Sequence, residues 1–391
     1  MIDSLTLNHA ARVLATITPE VRADVALRKY FVSARRPGPR EKRAISRAVF
    51  TYFRWFQWLD EKASAQKKIE EALKLQERFE KNPASIKAEA LAARAVPAWA
   101  RNEVDYPTET LRLLQTEPAL WLRARPDTAE KLAATLGDCE TTPHSPDALR
   151  YRGQQDLFLT PAFHNGLFEI QDLASQMVGL ACAPKPGETW WDACSGEGGK
   201  MLHLADLMRN KGLIWASDRS ERRLHTLKQR AARAKLFNFR VASWDGSAKL
   251  PTKAKFDGIL VDAPCSGLGT WQRNPHARWT TTETDVSELA AIQRQLLENV
   301  ASSLKPNGRL IYAVCTLTRS ETTAIANAFG TAHPELEPAP VFPKPTAPAN
   351  QFSSPACSLA ETDLFTDTSV TLWPHALNAN GMFIAAWKKR T

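Results

Sequence analysis

Two cysteines and an aspartate stand directly after short apolar runs of this sequence. Asp262 and Cys265 lie in Asp262-Ala263-Pro264-Cys265-Ser266-Gly267, and Cys315 ends the run Tyr312-Ala313-Val314. If both runs are neighbouring strands of a parallel sheet, the thiols and the carboxylate meet at the edge where such sheets bind ligands. Either cysteine alone fits a small buried apolar residue. Two thiols beside an acid favour nucleophilic catalysis.

A glycine-rich turn between an apolar run and a helical segment indicates a second site. It reads Asp192-Ala193-Cys194-Ser195-Gly196-Glu197-Gly198-Gly199-Lys200. Glycines allow close approach of a ligand to the backbone, and a helix N-terminus offers free N–H groups. Asp218 and Asp245 follow the next two apolar runs. Asp218 could accept hydrogen bonds from ribose hydroxyls or belong to a helix N-cap with Ser220; Asp245 could face an adenine amino group or be a turn aspartate.

Together these positions suggest an adenosine-containing cofactor. The candidate cofactor-binding residues are Asp192, Cys194, Ser195, Gly196, Gly198, Gly199, Lys200, Asp218, Arg223, Asp245 and Asp262. The candidate catalytic residues are Cys315, Cys265, Asp262 and Lys200. Lys200 could favour a thiolate electrostatically, or it could be an exposed helix charge.

Alternating strands and helices from about residue 166 must position these residues. The pattern predicts strands at 189–193, 213–218, 239–242, 256–262, 309–314 and 381–387, and helices at 199–210, 221–235 and 293–304. This alternation predicts an α/β fold, a mostly parallel, doubly wound, Rossmann-like sheet. Residues 334–349 are rich in proline and predict a loop or an insertion.

The rest of the chain predicts two smaller parts. Residues 1–112 form a helical N-terminal region, residues 113–165 a small α+β RNA-binding module, and residues 166–391 the large domain. The aromatic run 52–58 favours helical core over base stacking. The basic stretch 35–47 fits a solvated helix face and a phosphate-contacting patch equally well.

Composition excludes several classes of protein. The 391 residues carry a net charge of +9, which slightly favours a nucleic-acid partner. No apolar run approaches the roughly 18 residues of a membrane span, and the first twenty residues lack signal-peptide features, so we expect a cytoplasmic protein without a membrane partner. The six cysteines form no Cys-x-x-Cys pair, which favours neither a metal site nor a disulfide framework.

The segment Phe256–Gly267 closely resembles the signature of the RsmB/Nop/Sun family of RNA cytosine-5 methyltransferases. The stretch 269–275 with Trp279, and Gln171–Gln176, are also similar to that family. The resemblance covers roughly residues 115–391, while the N-terminal helices are only weakly similar to a NusB-like RNA-binding domain. Three positions depart from the family pattern: Ser195-Gly196-Glu197 replaces Ala-Ala-Pro, Gly258 replaces a basic residue or alanine, and Val314-Cys315-Thr316 replaces Thr-Cys-Ser.

The resemblance implies a class I methyltransferase domain that uses S-adenosylmethionine to methylate carbon 5 of cytidine. It assigns Cys315 as the nucleophile that adds to carbon 6, Cys265 as the group that assists collapse of the covalent intermediate, and Asp262 as the partner of the base ring nitrogen. Ribosomal RNA of the small subunit (16S-type) is the expected substrate, with transfer RNA left open, and a monomer is expected. We expect Arg273, Arg278 and the N-terminal basic stretch to face RNA, and most of the basic helix 219–235 to be a solvated face.

Two other functions fit the same residues. The first is a methyltransferase of another class that acts on DNA or on a small molecule; DNA cytosine-5 enzymes use the thiol of the Pro-Cys loop, here Cys265, as nucleophile and do not need Cys315. A non-enzymatic RNA-binding or ribosome-assembly factor would keep the fold without the chemistry, for which the altered turn 195–197 is the support. Separate replacement of the two cysteines, and a test of cofactor binding, distinguish the three.

Overall fold

A computed structural model describes residues 3–33, 37–343 and 366–391. Arg35 and Arg36 of the basic stretch, residues 344–349 of the proline-rich stretch, and Cys357 lie outside the described residues. Among the described residues, the longest and most apolar helices fall short of what is needed to cross a bilayer. By compactness the chain divides into a first unit, Met1–Pro118 with Leu268–Asp285, and a second unit, Ala119–Gly267 with Val286–Thr391.

The α-helices of the described residues are α1 Ser4–Leu14, α2 Ala23–Ser33, α3 Pro39–Arg54, α4 Ala65–Lys81, α5 Ala88–Arg94, α6 Ala100–Glu103, α7 Thr108–Leu113, α8 Ala129–Leu136, α9 Pro161–His164, α10 Leu173–Cys182, α11 Gly199–Leu207, α12 Glu221–Arg233, α13 Ala277–Thr280, α14 Glu283–Ala301, α15 Thr323–Ala332 and α16 Pro374–Leu377. The strands are β1 Leu120–Ala124, β2 Cys139–Thr142, β3 Ser145–Tyr151, β4 Phe168–Ile170, β5 Thr189–Asp192, β6 Leu213–Asp218, β7 Phe239–Ser243, β8 Phe256–Asp262, β9 Leu304–Val314, β10 Leu336–Pro338, β11 Ser369–Leu372 and β12 Met382–Lys389.

The first unit is helical, and its core follows from helical spacing of apolar residues. Leu7, Ala10 and Val13 of α1 are buried on one face, and they belong to a core shared with α2, α3 and α4. The aromatic run after residue 52 divides at the end of α3: Trp55 is fully buried, whereas Phe56 is 37% exposed. The aromatics are therefore core residues only in part.

The segment 268–285 completes this first unit although it follows the Cys265 loop in sequence. Arg278 of α13 is fully buried, and its guanidinium donates hydrogen bonds to the carbonyl oxygens of Ala95 (3.0 Å) and Leu114 (2.9 Å). The prediction that Arg278 faces RNA is therefore wrong. A side chain whose donors are used by backbone carbonyls inside a core has a structural role.

The second unit begins with a small antiparallel sheet in the order β2-β3-β1-β4. An ion network links it to the helices of the large sheet. Glu169 of β4, only 1% exposed, binds Arg230 (2.8 Å) and Arg233 (2.7 Å) of α12. Arg123 of β1 binds the carboxylate of Asp206 in α11. Two arginines of the basic helix are thus committed to internal ion pairs.

The large sheet has the order β7-β6-β5-β8-β9-β12-β10, with β11 paired to β12. Strands β5–β9 run parallel and β12 antiparallel to β9. Two apolar clusters pack on its faces. The predicted mostly parallel Rossmann-like fold is confirmed. The strand order reverses between β5 and β8, which places the ligand-binding crevice at their carboxyl ends.

The structure corrects one predicted helix boundary and explains one departure from the family pattern. The helix predicted at 293–304 is α14, which begins ten residues earlier, at Glu283, and ends at Ala301. Leu304 instead starts β9 because it pairs with Phe256 of β8.

Gly258, one of the family departures, pairs with Trp190 of β5; a Cβ atom there would lie 2.2 Å from the indole ring. The large indole therefore requires glycine.

Candidate active site

The two thiols meet at the carboxyl edge of the large sheet. Strands β8 and β9 are parallel neighbours, with Asp262 opposite Ala313, so the loops that follow them lie side by side. Cys265 Sγ and Cys315 Sγ are 3.4 Å apart, and either can be the hydrogen-bond donor. Both cysteines are partly exposed. The structure therefore brings together the thiols that the sequence predicts to be neighbours.

The surroundings of the two sulfur atoms are electrostatically different. The hydrogen bond from Cys265 lowers the pKa of Cys315 despite burial, and the positive charge of Lys200 acts in the same direction. The same contact with Cys315 raises the pKa of Cys265 well above its ordinary value, with burial and the negative charges of Glu321 and Asp262 adding to it. A thiolate is therefore favoured on Cys315, with Cys265 as its proton donor.

An ion pair lies beside the thiols. Lys200 Nζ in the first turn of α11 is 2.6 Å from Asp262 Oδ2 at the end of β8. Lys200 is only 9% exposed, which excludes the alternative that it is an exposed helix charge. Burial lowers the pKa of Lys200, but the Asp262 carboxylate outweighs this and leaves the pKa raised. Lys200 is therefore a fixed cation at the site.

The glycine-rich turn needs glycine at two positions for backbone reasons. Gly196 and Gly198 have φ values of +53° and +86°, in the left-handed region. A Cβ on Gly198, the N-cap of α11, would lie 2.7 Å from Leu227 Cγ. The Gly196 amide donates to Asp218 Oδ2 (3.1 Å), and the Ser195 amide to the Ser217 carbonyl (2.8 Å). The turn between β5 and α11 is thus tied to the end of β6.

Asp218 and Asp245 each show features of both interpretations given above, a cofactor-binding residue and a helix-cap or turn residue. Asp218 is 7% exposed and accepts the Ser220 amide at Oδ1 (2.7 Å), while Ser220 itself caps α12. Arg223 Nη1 lies 3.8 Å from Asp218 Oδ2. Asp245 accepts the Ser247 amide (3.0 Å), as a turn aspartate does, and hydrogen bonding to the side chain of Ser247, together with this amide, lowers the pKa of Asp245. Both carboxylates nevertheless face one cavity.

That cavity has a volume of about 480 Å³, within the range of about 300–1,000 Å³ for small-molecule sites. Its lining includes most of the predicted cofactor residues: Cys194, Ser195, Gly196, Gly199, Lys200, Asp218, Arg223, Asp245 and Asp262. Cys265 also lines it. Asp192, Gly198 and Cys315 are not part of the lining, so the cavity ends at the thiol pair.

Asp192 is buried directly before the turn that lines the cavity. It is completely buried, and neither carboxylate oxygen has a hydrogen-bond partner of normal geometry among the described residues. Burial and the charge of Asp262 raise the pKa of Asp192 to about 8, and burial also raises the pKa of the Cys194 thiol. Asp192 is therefore a neutral acid at pH 7 behind the turn that lines the cavity, and a positively charged ligand in the cavity would favour its ionised form.

The sequence reasoning missed several walls of the cavity. Two of these lining residues are Trp244 and Ser175. Trp244 is next to Asp245 and Ser175 lies inside the Gln171–Gln176 motif, so both adjoin positions that the sequence analysis had identified. Ile292 and Leu296 of α14 also line it. They carry no sequence signal, because they are ordinary apolar helix residues brought to the site from a distant part of the chain.

Comparisons with known proteins identify the family of the chain. Residues 179–388 match the family described as 16S rRNA methyltransferase RsmB/F. The chain is 30% identical over 309 residues to a probable ribosomal RNA small subunit methyltransferase B of Bacillus subtilis, covering 78% of this chain and 64% of that protein. The chain thus spans about 64% of the length of this curated relative.

Solved structures share the fold. The structure of PH0851 has a TM-score of 0.75 at 22% identity and covers 100% of this chain and 99% of its own. A methyltransferase homolog protein from Pyrococcus horikoshii has a TM-score of 0.58 at 25% identity, covering 72% of this chain and 90% of its own. The family resemblance found in the sequence is confirmed, and the predicted cofactor class, S-adenosylmethionine, agrees with it.

Proposed function

The chain belongs to the 16S rRNA methyltransferase RsmB/F family, and we propose that it transfers a methyl group from S-adenosylmethionine to carbon 5 of a cytidine in ribosomal RNA. The reaction proceeds through a covalent bond between Cys315 and the base. The observation that carries the proposal is the 3.4 Å contact between the Cys265 and Cys315 thiols beside the Lys200–Asp262 ion pair. Two thiols and an acid–base pair are the groups that this chemistry needs.

S-adenosylmethionine supplies the methyl group when it is bound. The Asp218 carboxylate accepts a backbone amide at each oxygen, and each oxygen keeps a lone pair that can accept a hydrogen bond from a ribose hydroxyl. Asp245 and Trp244 form the wall beyond β7 for an adenine. Asp192, whose side-chain oxygens have no hydrogen-bond partner of normal geometry among the described residues, keeps a proton while the cavity is empty, and the positive charge of the bound cofactor would favour its ionised form from behind the cavity wall.

Cys315 is the proposed nucleophile because its environment favours the thiolate. Carbon 5 of cytosine is a poor nucleophile, and addition of the Cys315 sulfur to carbon 6 makes the ring electron-rich at carbon 5. Carbon 5 then takes the methyl group, whose bond to the cofactor sulfur breaks in the same step. Cys265 is protonated while Cys315 is the thiolate, because the contact with Cys315 raises the pKa of Cys265. Once Cys315 is bonded to carbon 6 this cause is removed, so Cys265 can lose its proton to water and accept the carbon 5 proton, while the sulfur–carbon 6 bond breaks and returns the Cys315 thiolate.

Asp262 and Lys200 hold a proton where the base develops negative charge. Addition of a thiolate places charge on the pyrimidine ring, and a proton shared with its ring nitrogen stabilises the adduct. The Lys200 ammonium donates to Asp262 Oδ2, so the pair can present a proton to the base while it stays inside a largely buried site.

Ribosomal RNA is the proposed partner, with transfer RNA as the second choice, and the chain acts as a monomer. The target base must leave its stack to reach the strand edge. Arg219 and Arg223 line the cavity and are exposed, as are Arg222 and Lys228 on the same helix. These side chains provide positive charge near the entrance of the site for a phosphate backbone.

The test is a methyl-transfer assay with labelled S-adenosylmethionine and unmodified total RNA, followed by nucleoside separation. Label in 5-methylcytidine supports the proposal, and mapping the position identifies the substrate. No label in any nucleoside despite cofactor binding refutes transfer to free RNA, and repetition with ribosomal particles then decides the function. Absence of cofactor binding refutes the enzyme and favours a scaffold.

Single replacements of the cysteines decide the nucleophile. Cys315→Ala loses methyl transfer and keeps cofactor binding. Cys265→Ala accumulates a covalent protein–RNA adduct, visible as a slow band on a denaturing gel. Cys139→Ala, a partly exposed thiol in β2, is the matched control and stays active. Full activity of Cys315→Ala would instead assign the nucleophile to Cys265.

A further inference from the structure

Glu321 is a fully buried carboxylate in the turn between β9 and α15. Oε1 accepts hydrogen bonds from the Ser266 amide (2.9 Å) and from Gln293 Nε2 (2.9 Å). Oε2 accepts from the hydroxyls of Ser266, Thr318 (2.8 Å) and Thr316 (3.2 Å). None of these partners is basic. A buried carboxylate without a cation depends on such a dense set of donors.

Two of these donors are the residues that directly follow the cysteines. Ser266 follows Cys265, and Thr316 follows Cys315. Their hydroxyl groups also contact each other at 2.9 Å. One carboxylate therefore binds both cysteine loops at the same time, immediately next to the thiols.

We propose that Glu321 is a positioning residue, which sets the distance between the Cys265 and Cys315 sulfur atoms by binding the residue after each cysteine. This inference rests on the proposed function, because it assigns Glu321 a part in preparing the Cys315 nucleophile. Glu321 acts through the two loops and does not touch the substrate.

The surroundings of Glu321 hold it in a fixed place. Gln293 Nε2 also donates to the Pro264 carbonyl (2.9 Å), one residue before Cys265. The Tyr312 hydroxyl contacts both Gln293 Oε1 (2.9 Å) and the Glu321 carbonyl (2.6 Å). Glu321 is thus fixed by Gln293 of α14 at its carboxylate and by Tyr312 of β9 at its backbone carbonyl. Gln293 holds the loop before Cys265, and Glu321 holds it directly after Cys265.

A positioning role and a purely electrostatic role predict opposite changes in thiol reactivity when Glu321 is replaced. The negative charge of Glu321 disfavours ionisation of Cys265, so removal of the charge alone would make the thiol pair more reactive. Loss of the loop contacts would instead separate the sulfur atoms and remove the hydrogen bond that favours the Cys315 thiolate. Reactivity of Cys315 would then fall.

The experiment measures alkylation of Cys315 by iodoacetamide from pH 6 to pH 10, with peptide mass spectrometry to separate the cysteines. We expect Glu321→Ala to slow alkylation of Cys315 at pH 7 by about tenfold, the factor for loss of one hydrogen bond to a charged group. Glu321→Gln keeps one acceptor oxygen and the shape, and it restores part of the rate. Unchanged or faster alkylation in Glu321→Ala would overturn the proposal.

Two controls separate positioning from general damage. Asp257→Asn removes a carboxylate that binds the Thr189 amide and Lys305 (both 2.8 Å) at the opposite end of β8, and it leaves Cys315 alkylation unchanged. In a Cys265→Ala background, Glu321→Ala has no further effect, because the thiol contact is already absent; a second tenfold loss there would overturn the proposal. If Glu321→Ala does not fold, the Glu321→Gln rate against the natural chain gives the same decision.

The methyl-transfer reaction supplies an independent readout. Glu321→Gln lowers kcat and leaves the KM for S-adenosylmethionine unchanged, because Glu321 is outside the cofactor cavity lining. A natural chain that transfers no methyl group would overturn the proposed function, whereas the alkylation rates decide the positioning role without RNA or cofactor.

Discussion

The buried carboxylate of Asp192 makes the stability of this protein depend on pH. Its pKa is raised from 3.8 to about 8, so the folded chain keeps a proton on Asp192 that the unfolded chain loses above about pH 4. For a raised folded pKa, the stabilising contribution is complete below the unfolded pKa and is lost as pH rises through the folded value. The free energy of unfolding should therefore fall by about 1.4 kcal/mol per pH unit between about pH 5 and pH 7 from this group.

Asp192→Asn should remove this component. The amide has nearly the shape of the protonated acid and stays neutral at every pH, so the variant behaves as if the proton were permanently bound. We expect Asp192→Asn to be more stable than the natural chain. Its advantage should be about 3 kcal/mol larger at pH 7 than at pH 5, the product of two pH units and the slope above.

The assay is urea unfolding at pH 5, 6 and 7, followed by tryptophan fluorescence. Asp257→Asn is the matched control: burial acts to raise the pKa of Asp257, but the hydrogen bonds from Lys305 and Thr189 leave it lowered. Its replacement should destabilise the chain by a constant amount over this pH range. Stability curves of Asp192→Asn and the natural chain that stay parallel would refute the reasoning. Under the proposed function, the stabilised variant also binds S-adenosylmethionine more weakly, a cost typical of functional sites.

Three further predictions concern other parts of the chain. Lys200→Met removes the cation beside Asp262 and should lower methyl transfer at pH 7 by about tenfold; since the pKa of the Cys315 thiol rises, the deficit should shrink towards pH 9, and a pH–rate profile identical to that of the natural chain would contradict this. Gly258→Ala places a Cβ against an indole ring and should cost about 1–3 kcal/mol of stability in urea unfolding, and a neutral result would show that the ring can move. Arg278→Met leaves two core carbonyls without donors and should lower the stability of the first unit by about 2–4 kcal/mol, while cofactor affinity, measured by calorimetry, stays unchanged.

The positions of the site residues could be predicted because they depend on short local patterns. An apolar run followed by an acid and a glycine or proline marks a strand end, and parallel strands end at one edge. Asp192, Asp218 and Asp262 therefore fell at the correct edge of the sheet from the sequence alone. Family resemblance added which cysteine acts as nucleophile, and that assignment stays a prediction.

The remainder depends on contacts between distant parts of the chain, for which a single sequence carries no signal. Glu321 is an ordinary acidic residue in sequence, and only the fold shows that five donors surround it. Arg278 is a basic residue close in sequence to the proposed site, which predicted an RNA contact. Its guanidinium instead donates to two backbone carbonyls inside a core. The start of α14 was missed because its first residues are polar and helical periodicity is weak there.

The altered turn at 195–197 shows why such departures need not abolish a function. What the turn must provide is backbone geometry: Gly196 takes a left-handed φ of +53° and its amide binds Asp218. The Glu197 carbonyl accepts a hydrogen bond from Arg230 at 3.0 Å, and its side chain is exposed. Of the side chains in which the turn differs from the family, Ser195 helps to hold it, because its hydroxyl donates to the Ser217 carbonyl at 3.1 Å; the other contacts named here come from the backbone. The departure that supported a scaffold without chemistry thus leaves the cavity, the carboxylates and the thiol pair in place.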